Sequence, residues 1–163
     1  GRLNSSKGYD IFGKAVLKIL DKYKDWKAVV IGDEPREKIL FRHKKLDILG
    51  FLNHNKVSNW FVKSQIAVIC SRWQEPFGRT ALEASSSGCA VIITNRGGLP
   101  EAAPNAIKIN NLSVNTVKLA IEKLIKNKTF RNKVQKKSFK NFYLTNSLIS
   151  SKIDKYRSEF IKS

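Results

Sequence analysis

Several residue types are rare or missing in this chain, and each shortage excludes a class of protein. The 163 residues contain no Met, two His and two Cys. His43 and His54 lie far apart in polar surroundings, and no pair of Cys or His residues has the spacing of a zinc site. We therefore expect no metal-binding module, and we expect both His side chains to lie at the surface.

The two cysteines stand where small core residues usually stand. Cys70 ends an apolar run and Cys89 precedes another, a placement more typical of buried residues than of nucleophiles. This cysteine usage agrees with a protein from a reducing compartment.

Long hydrophobic runs are missing as well. No stretch reaches the roughly 20 apolar residues that a membrane-spanning helix needs, and the opening GRLNSSKGYD lacks the apolar core of a signal peptide. We expect a cytoplasmic domain, with peripheral attachment to the inner membrane surface as a secondary effect. Because no Met is present to start synthesis, we also expect the chain to be part of a longer polypeptide.

Acidic residues are few: 13 Asp and Glu stand against 31 Lys and Arg, which gives a formal net charge of +18. Such a charge attracts polyanions. It could therefore reflect binding of nucleic acid, attraction to anionic lipid, or only the lysine-rich composition of proteins encoded by an AT-rich genome. Lysine is spread over every segment, and no helix-turn-helix, zinc module or RNA-binding aromatic consensus is present. Composition is the simplest explanation. We do not expect nucleic acid as a partner, whereas attraction to an anionic membrane is a secondary expectation.

The chain does contain an alternation of short apolar runs and helical patterns. With 42% hydrophobic and 27% charged residues, it suits one soluble domain with a sizeable core. The predicted order is a helix at Tyr9–Tyr23, a strand at Lys27–Ile31, a helix at Pro35–Arg42, an apolar segment at Leu46–Leu49, a helix at Lys56–Lys63, a strand at Ile66–Cys70, a helix at Arg79–Ser86, strands at Ala90–Thr94 and Ala106–Ile109, and a helix from Ser113. This order predicts an α/β fold with a Rossmann-like, doubly wound parallel sheet in a single domain.

The last third of the chain changes character. Basic residues dominate from Lys126 to Lys140, and a final helix carries apolar side chains along one face, namely Ile149, Ile153, Tyr156 and Phe160. That face needs a partner, which is either this domain or another one.

The most informative segment is 71–101, SRWQEPFGRTALEASSSGCAVIITNRGGLPE. It runs from the end of one predicted strand through a loop and a helix into the next strand. Pro76 fixes the direction of the loop, and Gly78 removes a side chain just before the helix. Free amides at the start of that helix, together with its dipole, form a phosphate site at the carboxyl ends of the strands.

Two carboxylates accompany this helix start. Glu75 precedes the helix and Glu83 lies within it, so they can accept hydrogen bonds from hydroxyl groups on different parts of one extended, sugar-like ligand. Simpler explanations stay open: a glutamate in a helix is commonly just solvated, and Gly97 with Gly98 could form only a turn before a short helix at Leu99.

These residues resemble a known family. EPFGRTALEA, followed by SGCAVIITNRGGLPE, closely resembles the donor-binding signature of the retaining group 1 glycosyltransferases, which have the GT-B fold. The opening GRLNSSKG resembles the loop in which that family holds the donor diphosphate with an arginine and a lysine. Between them, AVVIGDEPREK resembles the family's strand and following turn. The likeness covers essentially the whole chain in the right order.

The resemblance implies that residues 1–163 form the C-terminal, nucleotide-sugar-binding domain of such an enzyme. Residues 1–8 would be an incomplete N-terminal edge, because the strand that leads into this motif in the family is lacking. Arg2 would therefore lie on a fraying terminus. Residues 142–163 would be the terminal helix that packs on an absent N-terminal domain.

The resemblance also implies roles for individual residues. Arg2 and Lys7 would hold the diphosphate and Glu75 would bind the donor sugar, which makes these three the predicted catalytic set. The predicted donor-binding residues are Phe77, Gly78, Arg79, Thr80 and Ala81 through backbone amides, Glu83 for the ribose, and Gly32, Phe51 and Leu52 around the base. Arg79 departs from the uncharged residue common in the family, and would be either a third cation beside the phosphates or a salt-bridge partner for Glu83.

The implied reaction transfers a sugar from a nucleoside-diphosphate sugar to an acceptor with retention of configuration. No cofactor and no metal ion are expected, since the Asp-x-Asp triplet of metal-dependent glycosyltransferases is missing, and a UDP-sugar is the default donor. A glycan or lipid-linked acceptor would be bound through the N-terminal domain, so this domain alone should bind donor but scarcely turn it over. The alternatives are a sugar-nucleotide epimerase of related fold and a basic nucleic-acid-binding module.

Overall fold

The computed structural model describes residues 1–140, 142 and 145–162, without the side chains at 146 and 162. Its helices are α1 (Tyr9–Lys22), α2 (His54–Lys63), α3 (Arg79–Ser86), α4 (Leu99–Ala102), α5 (Val114–Lys126), α6 (Lys128–Lys140) and α7 (Asn146–Lys162). Its strands are β1 (Ala28–Val30), β2 (Leu46–Ile48), β3 (Ile66–Ile69), β4 (Ala90–Thr94) and β5 (Ile107–Ile109). Of the predicted terminal segment 142–163, residues 143, 144 and 163 lie outside the described residues.

Every strand pair is parallel, as the alternation predicts, but the strands form two sheets. β1 pairs with β2, with Ala28 opposite Leu46. β4 lies between β3 and β5, with Ile66 opposite Ala90. Within the described part of the chain, β1 and β3 therefore each have one hydrogen-bonded neighbour.

The centre of the fold is β4, which is buried on both faces. Ile92 packs with Leu124 of α5 on one face, whereas Val91 packs with Ala81 of α3 on the other. Successive side chains of a strand point to opposite faces, so the continuous apolar run AVIIT supplies both layers of the core. Helices on both faces of parallel strands confirm the α/β, Rossmann-like architecture.

Local capping explains where α5 begins. The Ser113 hydroxyl accepts a hydrogen bond from the Thr116 amide at 3.1 Å, and the Thr116 hydroxyl accepts one from the Ser113 amide at 2.9 Å. This reciprocal pair satisfies two amide donors at the helix terminus, which is why the predicted start at Ser113 is confirmed.

The predicted helix at Pro35–Arg42 is wrong. The segment makes a turn and then runs irregularly, with side chains that alternate between half-buried and exposed. Ile39 and Phe41 face the core cluster that contains Tyr9, while Leu40 between them is 74% exposed. An alternation of period two buries the apolar side chains of an extended chain, and a helix would turn one of these two outward.

The apolar face of the last helix, α7, is exposed to solvent. Ile149, Ile153 and Tyr156 are 40%, 50% and 59% exposed, so the described residues leave this face largely uncovered. Packing of α7 on a further domain stays a prediction. None of the helices in the described ranges is long and apolar enough to cross a lipid bilayer.

A buried carboxylate ties α1 to α5. Glu122 is 7% exposed, and its Oε1 accepts hydrogen bonds from Lys22 Nζ at 2.5 Å and from the Tyr23 hydroxyl at 2.6 Å. The hydrogen bond from Lys22, followed by that from Tyr23, lowers the pKa of Glu122 to about 2. The carboxylate is therefore held in its charged form.

The pH dependence of stability should reveal this tie. Because the folded-state pKa lies below the unfolded value, the contribution of Glu122 is complete above the ordinary carboxyl pKa of 4.5 and is lost as the pH falls toward 2. We expect Glu122→Gln to lower the melting temperature at pH 7 and to flatten the acid side of the stability curve. Glu159→Gln on the exposed helix α7 is the matched control, and an equal effect of both variants would contradict the prediction.

Candidate functional site

A cleft of about 1160 Å³ opens where the carboxyl ends of β1 and β3 meet the start of α3. Ligands of open parallel sheets bind at such carboxyl ends. Nine predicted site residues line the cleft, namely Arg2, Lys7, Phe51, Leu52, Glu75, Gly78, Arg79, Thr80 and Glu83. Phe77, Ala81 and Gly32 are not among its lining residues.

The loop that carries Lys7 is held by backbone contacts with the end of β3. The Ser6 carbonyl accepts hydrogen bonds from the amides of Arg72 at 2.8 Å and Trp73 at 3.2 Å. Gly8, which precedes α1, has a φ of +70°, and a Cβ there would lie 1.9 Å from the Cys70 carbonyl oxygen. Only glycine permits this close approach, so the loop and the strand end are fixed against each other.

An ion pair that the sequence did not indicate strengthens this junction. The two terminal guanidinium nitrogens of Arg72 donate to the two carboxylate oxygens of Asp10, at 2.6 and 2.8 Å, and one of them also donates to the Ser5 carbonyl. The hydrogen bond from Arg72 holds the pKa of Asp10 below its ordinary value. This bidentate clamp joins the first turn of α1 to the strand end.

Two of the three predicted catalytic residues meet in the cleft. Lys7 Nζ lies 2.5 Å from Glu75 Oε1, with side chains that are 35% and 16% exposed. A charge-assisted hydrogen bond of this kind fixes the orientation of both side chains. Lys7 and Glu75 therefore form an ion pair at the cleft.

The double glycine places Glu75. The Gly98 amide donates to the Glu75 carbonyl at 2.7 Å, and the Gly97 amide donates to Gln74 Oε1 at 2.7 Å. Gly97 has a φ of +51°, and a Cβ there would lie 2.3 Å from the Glu75 carbonyl oxygen. Gly97 and Gly98 do precede the short helix α4, and they also hold the loop that presents Glu75.

The start of α3 offers amide donors. Gly78, with a φ of +86°, precedes the helix without any side-chain cap. The Ala81 amide donates to the Gly78 carbonyl at 2.9 Å, so it is already occupied. Among the described residues, the amides of Arg79 and Thr80 have no such partner, and they leave a positive helix end at the cleft.

Glu83 lies on the same helix and lines the same cleft as Glu75. Its Oε1 is 3.8 Å from His54 Nδ1, and among its ion pairs within the described ranges none involves Arg79. His54 is exposed as expected, but its place beside Glu83 was missed. His54 follows Leu52 of the predicted base region by two residues, and this proximity in sequence could have indicated that His54 lies near the site. His43, in contrast, is half-buried: its Nε2 lies 3.4 Å from Asp21 Oδ1, and its Nδ1 accepts a hydrogen bond from the Lys45 amide at 3.0 Å.

The chain start is anchored rather than frayed. The Gly1 amino group donates to the Ile31 carbonyl at 3.0 Å, and the Leu3 amide donates to the Asp33 carbonyl at 3.4 Å. A Cβ on Gly32 would lie 1.7 Å from the Gly1 oxygen. The missing side chain at Gly32 therefore allows the Gly1 backbone to pack closely against it. Arg2 follows and lines the cleft with an exposed side chain.

The two cysteine thiols are buried in the core. Burial raises the pKa of the Cys70 thiol to about 12 and that of Cys89 to about 11. Both are core residues, as expected, and neither is available as a thiolate nucleophile. No group of three or more His, Cys, Asp and Glu residues in the described ranges is arranged to hold a metal ion.

Comparison with known proteins points in one direction. The sequence model of the family described as "Glycosyl transferases group 1" matches residues 1–141. One of the subunits of the human phosphatidylinositol N-acetylglucosaminyltransferase is 32% identical over 132 residues, which are 76% of this chain and 27% of that protein. The chain thus spans about a quarter of the length of the first curated relatives that it matches, 25% and 27% in two cases.

Solved structures agree. The crystal structure of the C-terminal domain of a group 1 family glycosyl transferase (LpcC) from Francisella tularensis has a TM-score of 0.73 at 28% identity. The match covers 94% of this chain and 83% of that one. Anabaena HepE in complex with UDP and glucose has a TM-score of 0.75 at 17% identity, over 100% of this chain and 46% of that one, which shows a shared fold.

Replacing Gly97 tests whether the double glycine positions the Glu75 loop. Gly97→Ala adds a methyl group against the Glu75 backbone, whereas Gly50→Ala has a similar φ of +66° and nothing within 4 Å. We expect Gly50→Ala to cost about 1–2 kcal/mol of backbone strain and Gly97→Ala to cost clearly more, measured by urea unfolding. Equal losses would show that Gly97 serves only as a turn.

Proposed function

Because this chain belongs to the group 1 glycosyl transferases, we propose that it is the nucleotide-sugar-binding half of a retaining, metal-independent glycosyltransferase. The observation that carries the proposal is the convergence of Lys7, Glu75, Glu83 and the start of α3 on one cleft. A cation, two carboxylates and unpaired amides match the groups of a nucleoside-diphosphate sugar, which are phosphates and hydroxyls.

The diphosphate is assigned to the positive side of the cleft. Lys7 supplies a mobile charge, Arg2 a planar fork, and the amides of Arg79 and Thr80 a fixed dipole. The Arg79 side chain is exposed at the same place and adds a further cation. These groups stabilise the negative charge that develops on the leaving phosphate oxygen.

The hydroxyl-bearing parts are assigned to the carboxylates. Glu75, beside Lys7, binds the donor sugar next to the diphosphate. Glu83, which lies further along α3, binds the ribose. Phe51, 81% exposed at the cleft, and Leu52 offer an apolar surface for the base.

The proposed reaction proceeds on one face of the sugar. The bond between the anomeric carbon and the phosphate oxygen breaks, and its electron pair goes to the phosphate. The acceptor hydroxyl oxygen forms the new bond on the same face and passes its proton to the departing phosphate oxygen. This chain's part is to hold the donor and to stabilise the leaving group, while an acceptor site belongs to the rest of a longer enzyme.

The names of relatives guide the choice of ligands. The human relative is named as part of a phosphatidylinositol N-acetylglucosaminyltransferase, and a structural neighbour was solved with UDP and glucose. A UDP-sugar is therefore the first donor to test, and a glycan or lipid-linked acceptor of the kind used in cell-envelope polysaccharide synthesis is proposed.

Binding of UDP tests the site. We expect isothermal titration calorimetry to show saturable binding, weakened about 10- to 100-fold by Arg2→Ala, Lys7→Ala or Glu83→Ala, the range for a lost hydrogen bond to a charged group. Lys14→Ala, which removes an exposed lysine outside the cleft, should leave affinity unchanged. Absence of heat with UDP, GDP, ADP and their sugars would overturn the proposal, and tight oligonucleotide binding in their place would favour a nucleic-acid module.

Glu75→Gln separates the two functions of that side chain. The substitution keeps the shape but removes the charge that pairs with Lys7 at 2.5 Å. We expect UDP alone to bind several-fold more tightly, because Lys7 is released toward the phosphates, while the preference for UDP-sugar over UDP is lost. Weaker binding of UDP to this variant would show that the ion pair supports the phosphate site rather than competing with it.

A further inference from the structure

One polar side chain at the cleft has no part in the proposed function. His54 lines the cleft, and its side chain is 68% exposed. Its Nδ1 lies 3.8 Å from Oε1 of Glu83, the carboxylate assigned to the ribose. This distance is within the range of an ion pair and too long for a hydrogen bond, but a movement of about 0.8 Å would form one. His54 is therefore within reach of a group assigned to the ligand.

The start of α2 fixes the backbone that carries His54. Asn53 stands just before the helix, and its Oδ1 accepts a hydrogen bond from the Lys56 amide at 3.0 Å, which is the usual cap of a helix start. One turn further on, the Ser58 hydroxyl donates to the His54 carbonyl at 3.0 Å. His54 thus belongs to a capped helix start, and rotation of its side chain is enough to change the distance to Glu83.

The carboxylate of Glu83 has few other constraints. The backbone is held in α3, where the Glu83 carbonyl accepts hydrogen bonds from the Ser86 and Ser87 hydroxyls at 3.0 and 2.8 Å. The side chain is 27% exposed, and within the described ranges His54 is the only basic side chain with a nitrogen within 4 Å of the carboxylate. Among these basic groups, His54 is therefore the one that can orient it.

Orientation matters for a carboxylate that is to bind a ribose. The 2′- and 3′-hydroxyls of a ribose are adjacent, and each hydrogen bond requires a good angle as well as a short distance. A glutamate side chain that becomes ordered only when the ligand arrives loses its rotamer freedom at that moment, which weakens binding. A nitrogen that already holds Oε1 reduces this cost, and it leaves Oε2 and the second lone pair of Oε1 for the ligand.

We propose that His54 is a positioning residue: its imidazole donates a hydrogen bond to Oε1 of Glu83 when a nucleotide binds, and so orients the carboxylate toward the ribose hydroxyls. The pair then makes the site selective for ribonucleotides over 2′-deoxyribonucleotides. This role rests on the proposed function, since it requires that Glu83 binds the ribose. Selectivity can be measured apart from overall affinity, because UDP and 2′-deoxy-UDP share the base and both phosphates.

The test compares the affinities for UDP and 2′-deoxy-UDP by isothermal titration calorimetry. We expect the unaltered chain to prefer UDP by about 10-fold or more, the range for a lost hydrogen bond to a charged group. His54→Leu should reduce this preference about 5-fold, because it removes the nitrogen but keeps much of the bulk. His54→Asn should retain the preference within about 2-fold, because its amide nitrogen takes the place of Nδ1.

A double substitution shows whether His54 acts through Glu83. Glu83→Gln should lose most of the preference for UDP, and adding His54→Leu to it should change the preference no further. A merely structural effect of His54 would weaken the binding of both nucleotides equally and leave the ratio of their affinities unchanged. Lys56→Leu is the matched control, because it removes an exposed lysine from the same helix outside the cleft and should leave that ratio as it is.

The possible outcomes separate this role from the proposed function. Failure of the unaltered chain to bind either nucleotide would overturn both. Equal affinity for the two nucleotides, or a preference for UDP that His54→Leu leaves intact, would overturn the role of His54 while nucleotide binding stands. Melting temperatures of the His54 variants should stay within about 2 °C of the unaltered chain, since His54 is exposed. His54→Ala replaces His54→Leu if the leucine variant fails to fold.

Discussion

The junction between the loop of residues 4–8 and the end of β3 is the constraint on which the site depends. Ser6 accepts two backbone amides from the strand end, at 2.8 and 3.2 Å, and the Arg72–Asp10 pair fixes the start of α1 against the same point. Lys7 lies between these attachments, so its side chain can reach Glu75 without ordering a mobile loop. The entropy of forming the site is thus lost during folding and not during ligand binding.

Lys7 and Glu75 are matched with each other although the chain as a whole carries +18. Glu75 is 16% exposed and is compensated by Lys7, as an incompletely solvated carboxylate requires. A ligand therefore has to break the existing ion pair, and its phosphate oxygens must replace the Glu75 carboxylate as partner of the Lys7 ammonium group. Such a site favours ligands that bind both Lys7 and Glu75. A simple anion pairs with the Lys7 ammonium group but leaves the Glu75 carboxylate without a partner.

Local patterns predicted most of the fold, and long-range contacts explain the exceptions. RTALEASS and AVIIT form α3 and β4 at the predicted bounds, because each carries its own periodicity and glycine boundary. Pro35–Arg42 has helical composition, yet Glu34 and Glu37 bind Asn4 and Ser5 and so draw the segment into an irregular path. The clamp between Arg72 and Asp10 joins residues 62 positions apart, which no local pattern indicates. The cleft gathers most of the predicted site, whereas the assigned roles stay predictions.

The two buried cysteines give the molecule a pair of natural reporters. Cys70 belongs to the core layer beneath α1 and α5, and Cys89 belongs to the layer beneath α3 and α4. Each thiol is protonated and shielded in the native state, so an alkylating reagent can reach it only after its own layer has opened. The relative labelling rates of the two would therefore show whether the layers separate together or one before the other, with no probe introduced.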